Sequence, residues 1–72
     1  MKEYLVFIGD NYYPNAGVKD FKKDFDDLSS AQSFAIKSTK KNQWYQIATN
    51  NFEVVEFKEY DPETNEFISL FY

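Results

Sequence analysis

The sequence predicts an α+β domain in which a single helix packs on a small, mainly antiparallel sheet of four to five strands, in the order β-β-α-β-β-β. Three observations predict it. Short apolar, β-favouring runs recur from residue 4 onward, separated by clusters of Asn, Asp, Gly and Pro. Only residues 28–40 carry apolar side chains at helical spacing behind an acidic cap. The length, 72 residues, is near the lower limit for a hydrophobic core, so residues 1–72 form one α+β domain with no second unit.

Taken in order, Tyr4-Leu5-Val6-Phe7-Ile8 is an unbroken apolar run, as expected of a central strand covered on both faces, and Gly9-Asp10 ends it. Residues 10–20 contain Asn11, Pro14, Asn15 and Gly17 without periodicity and form a loop that carries Tyr12 and Tyr13. Phe21 and Phe25 flank Lys22-Lys23-Asp24 in a short edge strand whose charges discourage unwanted pairing. Asp27 caps the helix over residues 28–40 by accepting the free amide of Ser29 or Ser30, with Ser29 and Gln32 as a second possible cap. Leu28, Ala31, Phe34, Ala35 and Ser38 share the stripe that meets the sheet, while Lys37, Lys40 and Lys41 suit the negative end of the helix dipole. Ile36 falls off that stripe and is read as ordinarily exposed.

Residues 44–48 form the next strand, and Thr49-Asn50-Asn51 supplies a tight turn because Asn tolerates left-handed backbone. Its hairpin partner covers residues 52–60, with Phe52 and Val54 on one face and Val55 and Phe57 on the other. Asp61-Pro62-Glu63-Thr64-Asn65 makes a second turn, and residues 67–72 end the chain as an apolar strand.

Composition excludes several kinds of chemistry. With no Cys and no His, the chain lacks disulfides, thiolates, the usual zinc ligands and imidazole acid–base catalysis. The hydroxyls have no activating base beside them, and the loop oxygens of residues 10–20 do not follow calcium-loop spacing, so no catalytic, metal or cofactor-binding residue is assigned. The net charge is −4 and all eight cations are Lys, which disfavours direct nucleic-acid binding. No apolar run is long enough to span a bilayer or to serve as a signal peptide, so a cytoplasmic location without membrane association is expected.

Two features point towards binding. Aromatic residues make up 21% of the chain, more than one small helix-and-sheet layer should hide. Residues 52–72 carry six acids against one Lys, whereas residues 1–51 carry six acids against seven Lys. The series Glu53, Glu56, Glu59, Asp61, Glu63 and Glu66 reads first as a solvated outer face, and second as an imitation of a phosphate backbone for a partner's basic groove. Trp44 reads as a core or rim residue before a binding anchor, while one of Tyr12 and Tyr13 packs beneath the loop as the other faces out.

The residues Tyr4-Leu5-Val6-Phe7, Gly9-Asp10, Tyr12-Tyr13-Pro14, Gly17, Asp20-Phe21, Phe25-Asp26, Leu28, Ala31 and Trp44-Tyr45-Gln46-Ile47 together resemble a family of small uncharacterised proteins found in bacteria and their phages. The likeness covers residues 4–55. Where the family pattern has paired glycines, an acidic helix start and a Thr-Gly turn, this chain has Ala16-Gly17, Ser29-Ser30 and Asn50-Asn51, all compatible with the same fold. The resemblance implies the fold and a phage setting, carries no activity, and leaves residues 56–72 as this chain's own specialisation.

These observations lead to the expectation of a non-enzymatic protein-binding module, a phage or mobile-element product that inhibits or modulates a host protein. The partner-binding residues expected are Tyr12, Tyr13, Glu56, Glu59, Tyr60 and Asp61. The alternatives are a structural homodimer paired through the C-terminal strand and a small-ligand protein that stacks a nucleotide on an aromatic ring.

Overall fold

A computed structural model describes residues 2–10 and 20–69. The chain runs β1 (Tyr4–Asp10), β2 (Phe21–Phe25), α1 (Leu28–Ser38), β3 (Gln43–Thr49), β4 (Val54–Asp61) and β5 (Glu66–Ser69). The five strands form one sheet in the order β2-β1-β3-β4-β5, every neighbouring pair antiparallel. The expected α+β class and element order are both present. β2 and β3 flank β1 on opposite sides, so α1 carries the chain across the face of β1 between them.

Asp27 caps α1, its carboxylate accepting the Ser30 amide at 3.0 Å, and the alternative cap at Ser29 is not used because Gln32 reaches across to β4 instead. The Ser30 hydroxyl, and after it the Ser30 amide, bond more strongly to the charged carboxylate and hold the Asp27 carboxyl below its ordinary range. The helix stops at Ser38, two residues earlier than expected, where Thr39 turns extended and its amide closes on the Ala35 carbonyl at 3.0 Å. Ala31 and Ala35 are fully buried, and their small side chains let α1 settle directly onto the sheet. With Val6, Ile8, Tyr45 and Ile47 they make the core, and Leu28, Phe34, Phe25, Tyr4 and Phe67 pack around it.

The face of the sheet away from α1 has a second apolar layer. Leu5 and Trp44, each only 2% exposed, lie there. The Trp44 indole lies over Gly9 and donates from Nε1 to the Asp10 carbonyl at 3.0 Å. Phe57 meets the indole edge-on at 5.7 Å, and Phe7 meets Phe21 in the same way, also at 5.7 Å. Gly9 and Asp10 therefore continue β1 instead of ending it, since only glycine leaves room for the indole.

Two further expectations are corrected, and a third extends past the described residues. β4 begins at Val54, and the register passes from Ile47↔Glu56 to Ala48↔Val54, so Val55 is a bulge residue that resets the assumed alternation. The left-handed residue of the β3–β4 turn is Phe52, at φ 63, and neither Asn50 nor Asn51 takes that role. β5 is described from Glu66 to Ser69; the remaining expected strand residues 70–72 lie outside the described residues, as does the loop 11–19.

Candidate interaction surface

The helix packs against β1, β2 and β3, which leaves the β4–β5 half of the same sheet face without that cover. Alternation along β4 and β5 turns Glu56, Lys58 and Tyr60, together with Phe67, to this side. Phe67 joins the two halves: its ring lies 5.4 Å from Tyr45 in the core and 5.3 Å from Tyr60 at the margin, both in edge-on contact. Tyr60 is half-buried, and its hydroxyl donates to Asn65 Oδ1 at 3.1 Å in the turn.

The acidic series does not make one face. Glu56 points inward, one carboxylate oxygen accepting from the Tyr45 hydroxyl and the other from Gln32 Nε2 at 2.9 Å. It fastens α1, β3 and β4 together. Burial of Tyr45 and the adjoining carboxylate push the Tyr45 phenol well above its ordinary value, because an ionised phenol there would be poorly solvated and repelled. Glu59 points to the opposite face, in register with Trp44 and Ile68. Asp61 organises the second turn, accepting from the Glu63 amide at 2.9 Å and the Thr64 hydroxyl at 3.2 Å, while Asn65 supplies the left-handed residue at φ 58. Glu59, Tyr60 and Asp61 therefore lie consecutively at the end of β4, Glu56 is set apart from them as an internal cross-link, and Tyr12 and Tyr13 lie outside the described residues.

Sequence reasoning missed two features. Phe52 is 72% exposed at the tip of the β3–β4 turn. A run of Asn beside it drew the turn assignment away from the aromatic residue. At the other end of the strands, Ile8, Lys22, Phe34, Ser38, Lys40 and Gln43 line an open cleft of about 260 Å³ between the end of α1 and the β1–β2 pair. Lys22 reaches it because the β1–β2 register passes from Val6↔Lys23 to Phe7↔Phe21 and leaves Lys22 over. Only the tertiary path of α1 brings these residues together. Among the described residues no group of three or more potential ligands could hold a metal, and no helix is long and apolar enough to cross a membrane.

A family model described as bacteriophage T4 protein Y07C matches residues 4–66. The chain belongs to this family. The match agrees with the resemblance to small phage proteins seen in the sequence and extends it, since β4 and the turn through Asn65 fall within the T4 Y07C span instead of beyond it. No curated protein and no solved structure matches the chain.

Proposed function

We propose that this member of the T4 Y07C family is a non-enzymatic protein-binding module that modulates a host protein through the acidic, aromatic end of β4 and β5. The observation that carries this reading is the half-covered sheet: α1 shields β1 to β3, while Tyr60 and Phe67 extend the aromatic core onto the side it leaves open. Glu59, Asp61, Glu63 and Glu66 surround that end and favour a partner with a basic rim. An aromatic anchor ringed by charge is the usual composition of a contact hot spot.

The test is an affinity pull-down from host lysate with the tagged native protein beside Tyr60→Ala and Glu59→Lys variants. One host protein should be recovered by the native chain and about tenfold less by either variant, the loss expected for removing one hot-spot contact. Recovery that both variants leave undiminished, or no recovery at all, rejects the reading. The β5 edge favours a second reading, a homodimer in which two β5 strands pair, because Ile68 is 49% exposed on a strand with only one neighbour.

A further inference from the structure

We propose that copies of this chain associate head to tail, with Phe52 of one copy entering the cleft between α1 and the β1–β2 pair of the next. Phe52 carries two costs with no return inside its own chain. Its ring is 72% exposed, and its backbone is left-handed at φ 63, a conformation that Asn or Gly adopts readily and a bulky residue rarely does. Strain of this kind persists where the surrounding structure imposes it, and it concentrates at functional positions.

The turn holds the ring in place. The Phe52 amide donates to the Thr49 carbonyl at 2.8 Å, and the Thr49 amide donates to the Glu53 carbonyl at 2.9 Å. Thr49 Oγ1 accepts from the Asn51 and Glu53 amides, and the Asn50 amide ties the turn to the Glu3 carbonyl at 2.8 Å. The result is an aromatic side chain presented on a fixed base.

The charges at the two ends are complementary. In register, Tyr4 lies opposite both Thr49 and Phe25, so Glu3, Glu53, Asp24, Asp26 and Asp27 gather at the Phe52 end, against Lys2 and Lys23, the latter over the Phe25 ring. The cleft lies towards the other end of the same strands, near the Asp10↔Gln43 pairing. Ile8 and Phe34 give it apolar walls, and the exposed Lys22 and Lys40 stand at its rim beside Lys37 and Lys41 at the end of the helix, an excess of Lys over the two acids at that end, Asp10 and Asp20.

At about 260 Å³ the cleft is below the size usual for drug-like ligands, and an open site of that volume suits a single ring. Because the ring and the cleft are at opposite ends of the strands, a molecule cannot fill its own cleft with its own Phe52. Each copy would then keep one free ring and one free cleft, so the contact extends into chains or closes into a ring of subunits. This inference is independent of the host-partner reading, which uses the β4–β5 surface.

Sedimentation velocity with the full chain, from about 10 μM to about 1 mM, tests it in low salt and again at roughly 0.5 M salt, where exposed charges are largely screened. The weight-average mass should rise with concentration and fall back in high salt. Phe52→Asn should abolish the rise while raising the thermal midpoint. A Lys22→Glu/Lys40→Glu variant, shown to be folded by circular dichroism, should also stay monomeric. Mixed in equal amounts, the two variants still have one intact cleft and one intact Phe52 between them, and should stop at a one-to-one dimer. A native chain that is monomeric at about 1 mM overturns the proposal, as does association that survives Phe52→Asn, the result expected of β5–β5 pairing. A variant mixture that forms no dimer overturns it too.

Discussion

The two halves of this sheet both carry large apolar residues and reach different degrees of burial. β1 and β3 each bury four residues, in matching patterns of two adjacent pairs. β4 and β5 bury none, although they carry Val54, Val55, Phe57, Phe67 and Ile68. Hydrophobic content is only part of the difference, since β4 and β5 also carry five charged residues where β1 and β3 carry Asp10 alone. β1 and β3 lie beneath α1 on one face and hold Leu5 and Trp44 in the layer on the other. β4 pairs with β3 along one edge and sends Phe57 against Trp44 and Glu56 to Tyr45 and Gln32, but no helix lies over β4 and β5 as α1 lies over β1 and β3, and β5 joins the core through Phe67 alone. Cover by a second element decides which strand becomes core, and the uncovered half is where a contact surface can form.

The largest expected effect separates the halves directly. A Cβ on Gly9 would come within 2.4 Å of Trp44 Cζ2. The indole cannot swing away, since it is 2% exposed and its Nε1 is bonded to the Asp10 carbonyl. Gly9→Ala should therefore cost about 3 kcal/mol, the upper range for overpacking. Ile68→Ala on β5 removes the whole side chain beyond Cβ, where Gly9→Ala adds a single carbon, yet it should cost under about 1 kcal/mol, because the side chain is already 49% exposed. Urea denaturation of both variants checks the contrast, and equal losses would mean that β5 is as well packed as β1.

Next in size is the bolt between the halves. Glu56→Ala leaves the hydroxyl of fully buried Tyr45 without its acceptor and frees Gln32 of α1 from β4. A loss of about 2 kcal/mol is expected, the desolvation cost of one unsatisfied buried donor. Glu56→Gln, which keeps an acceptor oxygen, should lose roughly half of that. Denaturation midpoints of the two variants rank the effects, and an Ala variant no weaker than the Gln variant would show that the bond does not join the halves.

How much of this was legible in the sequence depended on the range of the interaction concerned. The alternation, the Asp27 cap and the Asp61–Asn65 turn are set by neighbours within a few positions, and the element order follows from them. Glu56 was not legible as an inward residue. An isolated carboxylate is expected in water, and the partners that keep this one inside are Tyr45, eleven positions away, and Gln32, twenty-four away. Val55 was misplaced because a bulge is created by pairing with β3 and leaves no mark in β4 alone. The cleft was invisible for the same reason, since its lining comes from β1, β2, α1 and β3.

Smaller effects follow from pH, with opposite signs at the two extremes. The Tyr45 phenol is raised above its ordinary 10.0 in the fold, so its contribution is fully present below pH 10 and is lost progressively as pH climbs beyond it. In thermal melts across that range, Tyr45→Phe should show a shallower alkaline decline than the native chain; equal slopes would place the sensitivity in the other tyrosines. At the acid end the carboxyls of Asp27, bonded to Ser30, and Asp24, bonded to the Lys2 amide, are lowered. Their contribution is present above about pH 4 and is lost as pH falls through the depressed values.

The smallest effect runs the other way. Phe52 belongs to neither packed half, and its left-handed backbone opposes the preference of a bulky side chain, so Phe52→Asn should stabilise the monomer by up to about 1 kcal/mol. For a domain of this length that amounts to a rise of roughly 4–8 °C in Tm for a full kcal/mol, measured at a concentration where the native chain is monomeric. The sign matters more than the size. A ring that packed usefully against its own chain would make the substitution destabilising. A gain instead means that the fold alone would favour another residue at position 52, and that the advantage of the aromatic ring lies in a contact outside the monomer.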